Sequence, residues 1–462
     1  THATTIADGA SDPGRALFLK YTGTLDSACT ITLGPNTVSK MWFIQNATSG
    51  SQNIIISQGS GANVTITAGQ TKSVYSDGAG SGAAIVDAFA TLNVVDLLVD
   101  DALTVTGAVS FAADVTLADG ADIITASAGT SNFRAGVNTG NSIASGGNYN
   151  VLVGDEAGTA LTTGDGNVAV GFDALKTEDA NGFNTAIGFE ALKTLNAGAD
   201  AGNTAVGYQA GVDLTTGVQN VIIGYVAGPD LTDADFNVAV GVGALFNDHK
   251  GNKSTAIGHN TLVTQDFTTS TDTLNTAVGY SAGNGVTVGK SNTLIGALAG
   301  DALTDADFNI AIGSEALTGD TLGSRSVAIG QHALQVQNFT TATDVYNVAV
   351  GYDAGVAVTT GTRNTIIGGL AGDALTTGSF SVAVGYAALS TEDTADNNTA
   401  VGYAALTTLN GGAKNTAVGQ SAAAAMTTGV NNTIVGTNAG DALTDADFNV
   451  ALGVSALTTD TL

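Results

Sequence analysis

The chain has 462 residues with 62 glycines, 3 prolines and 1 cysteine, and 13 Lys+Arg against 41 Asp+Glu give a formal net charge of −28 at pH 7. Hydrophobic residues at 44% and charged residues at 12% exclude the polar, highly charged composition of a disordered chain. The acidity repels phosphate backbones and anionic headgroups, so no nucleic acid and no membrane insertion is expected. Cys29 alone supports neither an intrachain disulfide nor a cysteine zinc site, and no apolar run reaches the roughly 18 residues of a membrane-spanning helix.

The chain opens Thr1-His2 without methionine or a signal-like apolar run, which points to a processed or trimmed start. Short apolar runs follow between residues 15 and 77: Leu17-Phe-Leu19, Thr30-Ile-Thr-Leu33, Met41-Trp-Phe-Ile44, Asn53-Ile-Ile-Ile-Ser57, Val64-Thr-Ile-Thr67 and Lys72-Ser-Val-Tyr75. Separated by Gly, Ser and Asn, they predict a small β-sandwich. The strand and turn Trp42-Phe-Ile-Gln-Asn-Ala-Thr-Ser-Gly50 resembles a module of bacteriophage tail fibres, and that likeness implies a particle-proximal or joining role. Residues 78–90, rich in Gly, Ala and Ser, read as a linker that completes an N-terminal module of residues 1–90. Gly78-Ala-Gly-Ser-Gly82 lacks the lysine and the strand-to-helix setting of a phosphate loop. In 91–148, Leu103-Thr-Val-Thr-Gly-Ala-Val-Ser-Phe111 and Asp114-Val-Thr-Leu117 alternate strictly, similar to the β-prism shafts of fibre proteins, so a β shaft is expected there.

From residue 149 one phrase, Asn-x-Ala-Val-Gly or a close variant, recurs to the end. Its glycines are Gly154, Gly171, Gly188, Gly207, Gly224, Gly241, Gly258, Gly279, Gly296, Gly313, Gly330, Gly351, Gly368, Gly385, Gly402, Gly419, Gly436 and Gly453. Fourteen of the seventeen steps are 17 residues and the others are 19, 21 and 21, the mark of a fixed coil with small loop insertions. Gly228, Gly300, Gly372 and Gly440 add a longer period of 72, 72 and 68, so four coils form one duplicated block. The two 21-residue coils carry matching insertions at Gln265–Asp272 and Gln337–Asp344.

Within Asn203-Thr-Ala-Val-Gly207, strand alternation puts Thr204 and Val206 on one face and Asn203, Ala205 and Gly207 on the other. The Thr/Val face is expected to fill the coil, and the Ala/Gly face to meet two sister chains about one axis, giving a homotrimer. Asn at the repeat start is expected to form an amide ladder. Helical solenoids are set aside, because their repeats run about 33–47 residues and would not carry turns such as Thr215-Thr216-Gly217. The fold class is therefore all-β: sandwich module, short shaft, and a long parallel β-roll of about 18 coils. The phrase Asn-x-Ala-Val/Ile-Gly-x-x-Ala resembles the left-handed parallel β-roll of trimeric autotransporter adhesin heads and related repeats of bacteriophage tail fibres.

Candidate chemistry is sparse. Asp305-Ala-Asp307, Asp233-Ala-Asp235 and Asp445-Ala-Asp447 open like an EF-hand loop, yet the sixth position is not Gly and the twelfth is Ala instead of Glu, so these six acids are only weak cation candidates. Asp155 beside Glu156, and Asp173 near Glu190, are the pairs a glycan-cleaving tailspike would need, but they sit at turn phases shared by acids of other coils. His249, His259 and His332 form no zinc constellation. A ring just after the repeat glycine, at Phe172, Phe189, Tyr208, Tyr225, Tyr280, Tyr352, Tyr386 and Tyr403, is expected to cap the core or pack between coils. No catalytic residue and no cofactor is expected.

The resulting expectation is a non-enzymatic structural tail-fibre protein of a phage virion, outside the cell, that acts as a stiff trimeric spacer. Its expected partners are other virion tail proteins and a host-surface receptor, glycan or protein, reached through a tip beyond the incomplete last coil. A bacterial trimeric surface adhesin, an ice-binding solenoid and a glycan-cleaving tailspike are the alternatives.

Overall fold

The computed structural model describes residues 1–5, 13–90 and 128–459 and divides into two units, Thr1–Thr116 and Leu117–Leu462. In the first, eight strands form two four-stranded sheets, β1(His2–Thr5)-β3(Cys29–Gly34)-β5(Ile54–Ser57)-β6(Val64–Ile66) and β2(Phe18–Thr24)-β4(Ser39–Ser49)-β7(Thr71–Asp77)-β8(Ile85–Asp87). Alternation along β4 turns Trp42, Ile44 and Asn46 inward and leaves Met41 and Phe43 outside. Leu19, Ile31, Ile54, Ile66 and Val74 complete the core between the sheets. The sandwich is as expected, but its winding is parallel: Phe18 pairs with Phe43 and Ile31 with Ile56, each a step of 25 residues, and only β6, β7 and β8 pair antiparallel. The Gly-rich stretch is not wholly a linker, since after a short turn at Gly80–Gly82 the chain adds β8 to the edge of β7. Residues 91–127, which carry most of the expected shaft, lie outside the described residues.

The second unit is a parallel β-solenoid. Nineteen three-residue strands, from β9(Phe133–Ala135) and β10(Val151–Val153) to Val450–Leu452, form one ladder, each in register with the next. At about 4.8 Å per strand the stack is roughly 90 Å long. It begins one coil earlier than the repeat phrase, inside the stretch assigned to the shaft, because Phe133-Arg-Ala-Gly136 pairs with β10 in full register.

The two strand faces are opposite to expectation. Ala205 and Asn203 are fully buried, whereas Thr204 and Val206 are only partly covered on the outer surface. The reason lies across the coil. Counting from the repeat glycine, a buried leucine at +4 (Leu175, Leu192, Leu245, Leu262, Leu317, Leu334, Leu389, Leu406) occupies the narrow interior and leaves room only for alanine on the strand. These leucines hold φ of +49° to +57°. That costs about 1–2 kcal/mol, and burying the side chain returns about 1.5–3 kcal/mol, so burial wins. Once per four-coil block the arrangement reverses: the strand centre becomes Leu152, Ile222, Leu294, Ile366 or Ile434, and the facing +4 residues are glycines with one alanine, Ala423. A Cβ on Gly355 would come within 2.8 Å of Ile366 Cδ1, and one on Gly283 within 2.7 Å of Leu294 Cδ1. The long period is therefore a large-for-small exchange that keeps the cross-section constant.

The repeat glycine is required by contact and by backbone together. Gly207 has φ +140°, and a Cβ there would be driven into the carbonyl of Gly224 one coil on. The expected Asn ladder is present and buried: Asn220 N–H donates to Asn203 Oδ1 (2.9 Å) and Asn203 Nδ2 to the Gly217 carbonyl (2.8 Å), a pattern that satisfies each amide inside the roll. Where Ser254 and Ser326 replace Asn, the 21-residue coils supply Gln265 and Gln337, which donate to the serine Oγ and accept from Asn275 and Asn347. Both Gln residues also donate to buried acids, Asp248 and Asp320. The same acids accept the Phe267 and Phe339 N–H and so anchor the inserted loops.

Two glycine exchanges separate these constraints. Gly207→Ala is expected to open the stack, with hydrogen-exchange protection lost across Thr204–Val206. Gly369→Ala, whose Cβ would meet only ordinary contacts of 3.6 Å or more, is expected to stay within about 0.5 kcal/mol of the parent. Equal protection in both variants would contradict the packing.

Candidate functional site

The outer surface of the ladder is the most distinctive chemical feature of the solenoid. Each strand presents its first and third residues outward, Thr or Val/Ile and then Val/Ile, and many stay more than a third exposed, such as Ile257 at 38% and Ile367 at 40%. Stacked in register, they form two continuous β-branched rows. Rows of rings border them on both sides.

On the C-terminal side the ring after the repeat glycine does not cap the core. Phe172, Phe189, Tyr208 and Tyr225 stand outside and stack on each other at 5.2, 5.3 and 5.1 Å, with planes within 21°. Tyr386 and Tyr403 repeat this at 5.7 Å, and His259 stacks on Tyr280 at 5.5 Å. The geometry follows from the coil rise, which is close to ring-stacking distance. On the N-terminal side, five residues before the glycine, Phe308, Arg325, Tyr346, Arg363 and Phe380 occupy successive coils. The Arg325 guanidinium lies 4.8 Å from the Phe308 ring and 5.9 Å from Tyr346, and Arg363 lies 5.5 Å from Phe380. Sequence reading missed this second row; two arginines at one repeat phase among aromatics were its signal.

The candidate acids have structural partners. Lys176 lies between Asp173 (3.0 Å) and Glu156 (3.9 Å), and Lys193 between Glu190 (2.6 Å) and Asp173 (3.3 Å), so Glu156, Asp173 and Glu190 form one ionic ladder up the stack. Asp155 accepts the Val137 N–H. Hydrogen bonds from Lys193 and then Gln209 hold the Glu190 carboxyl below its ordinary range, the reverse of what a general acid requires. Asp235, Asp307 and Asp447 each accept a backbone N–H from the preceding coil, at Val218, Lys290 and Val430. Asp233 pairs with Lys250 at 3.4 Å, and Asp445 accepts from Thr444. For Asp305 no partner defines a role. Among the described residues no three His, Cys, Asp or Glu side chains converge as a metal site. The histidines go separate ways. His249 faces Asp266 (2.8 Å), whose hydrogen bond raises the imidazole pKa, and His332 faces Asp353 (2.9 Å). The most buried acids are Glu178, Asp248, Asp320 and Glu392. All serve as acceptors for loop N–H groups; burial pushes Asp248 upward despite its three donors.

Comparison with protein families, curated proteins and solved structures finds no match to this chain. The outer face and its ring borders are thus read on their own geometry.

Because the Glu190 pKa is lowered in the folded state, its stabilising contribution is present above the ordinary carboxylate range and is lost as pH falls through the lowered value. Lys193→Met is expected to move the Glu190 titration midpoint, followed by NMR of the side-chain carboxyl, back up toward 4.5. An unmoved midpoint would remove the ionic ladder from the account.

Proposed function

We propose that this chain is a structural element of a phage tail fibre, a stiff homotrimeric spacer on the outside of a virion that serves attachment to a host surface. One observation carries the reading: two unbroken β-branched rows, bordered by rings, run the length of a solenoid whose own core is already filled by Ala, Leu and Asn. A face of that length and composition is one that sister chains cover. The trimer therefore rests on the Thr/Val/Ile face and no longer on the alanine side, which lies inside the coil. The likeness of the repeat phrase to adhesin heads and tail-fibre repeats supports the same symmetry. The continuous backbone ladder supports stiffness, and three copies of any contact point supply avidity. Other virion tail proteins and a host receptor are the partners this role requires.

A second reading has one observation in its favour. Thr185, Thr204, Thr255, Thr276 and Thr293 share the outer face with Val and Ile at strand spacing, as an ice-binding surface would need. Val221 and Val238 interrupt the threonine row, so it ranks second. Thermal hysteresis in solution would reverse that order.

Sedimentation at micromolar concentration is expected to give the mass of three chains, and Val240→Lys with Ile257→Lys to give a folded single chain. A parent protein that sediments as a folded monomer would overturn the trimer. Antibodies against the coils are expected to label the fibres of phage particles; label confined to a bacterial envelope would replace the virion setting with the adhesin one.

A further inference from the structure

Two phases of the coil, +2 and +5 from the repeat glycine, meet between successive coils. Lys176 at +5 reaches Glu156 at +2 of the preceding coil (3.9 Å), Lys193 reaches Asp173 in the same way (3.3 Å), and Gln335 Nε2 donates to Glu315 Oε2 (2.7 Å). The +5 side chain thus stands against the +2 side chain one coil earlier. In the ionic ladder an acid meets a lysine there. At the coil of Gly368 an acid meets an acid: Asp373 takes the +5 place opposite Asp353.

Asp373 is half-buried, and its Oδ1 is enclosed without a hydrogen-bond partner. Its neighbours at +5 in the coils on either side, Val356 and Ser390, are uncharged, and the Ser390 hydroxyl is directed to Thr407. The titratable groups that face it are Asp353, then Tyr352, whose hydroxyl bonds to Asp353, then His332 and Glu315. His332 stands between the last two acids, with Nδ1 2.9 Å from Asp353 and Nε2 3.9 Å from Glu315. Burial, with the charge of Asp353 adding to it, raises the Asp373 carboxyl above its ordinary value. A raised value in the folded state means that folding takes up a proton. The stabilisation is fully present below the ordinary carboxylate value and is lost as pH rises through the raised one. Asp441 shares the +5 phase and the orphan Oδ1, but Ser421 stands opposite it at +2.

We propose that Asp353 and Asp373 form a pH-sensitive latch between the coils of Gly351 and Gly368, which loosens the stack at neutral pH and tightens it in acid. In the neutral form Glu315, Asp353 and Asp373 are three carboxylates in succession, with one imidazole between the first two. On acidification Asp373 takes a proton and His332 becomes an imidazolium between Glu315 and Asp353. The segment then alternates in charge as the ladder of Lys176 and Lys193 does. The latch is internal to one chain and does not depend on the assembly.

Hydrogen exchange of the full chain at pH 7.5 and 4.5, with each rate referred to the intrinsic rate at that pH, tests the latch. Protection across Val348–Val350 and Thr365–Ile367 is expected to rise roughly fivefold at pH 4.5, relative to Val168–Val170 and Thr185–Ile187 beside the lysine ladder. Asp373→Asn is expected to abolish that difference. Asp373→Lys supplies the residue type of positions 176 and 193 and is expected to give the acid level of protection already at pH 7.5. Asp441→Lys, the same exchange at the same phase without an acid opposite, is expected to leave these strands unchanged. An equal rise in both pairs of strands, a rise that survives in Asp373→Asn, no gain from Asp373→Lys, or equal gains from the two lysine variants would overturn the latch.

Discussion

The solenoid depends on one contact, the approach of each repeat glycine to the carbonyl of the same glycine one coil on. At Gly207 there is no space for even a methyl group, and the φ of +140° is one that other residues rarely adopt. Because every coil makes this contact at the same phase, strands stack without slip. Zero slip in turn aligns every other position into a row: buried Asn to buried Asn, ring to ring, acid to lysine. A one-residue slip would turn Thr and Val inward and expose the asparagines, so register is fixed many times over.

The long period shows how a narrow core remains filled. Two coils of each block set leucine at +4 against alanine on the strand, and the other two set glycine, or once Ala423, around a strand-centre Ile or Leu. Neither half of the exchange works alone: Leu at position 355 would collide with Ile366, and Ala at 366 would leave a void there. The buried acids follow the same block. Asp248 and Asp320 stand 72 residues apart and do the same work, accepting a glutamine amide and the N–H groups of an inserted loop. The duplicated insertions are therefore tied to duplicated anchors.

Much of the fold could be read from spacing. The coil count, the loop insertions and the Asn ladder all follow from seventeen-residue recurrence and alternation. Alternation also shows that Thr204 and Val206 share a face, but not which face is inside, because alanine is small enough for a tight interior or a close interface. The deciding residues were the leucines at +4, outside the strand. The first coil was hidden because Phe133-Arg134-Ala135 carries arginine where the others carry alanine, leucine or isoleucine, although Asn132 and Gly136 keep the Asn-to-Gly spacing of the phrase. The candidate site was partly legible: the ring positions were visible, but their stacking on the outside depends on the face assignment, and the arginine–aromatic row was overlooked. The phage setting rests on resemblance and on what an apolar outer face asks for.

Mechanically, these features suit a spacer. Each coil touches only its neighbours, stability accumulates along the stack, and the chemistry that varies between coils lies on the borders of the outer face. A side-chain-resolved density map of the purified protein tests the central claim most directly. The account requires Ile222, Leu294 and Ile366 to point inside the coil toward glycines, with the Thr/Val rows outside. A map with those three side chains outside and the threonines enclosed would contradict it.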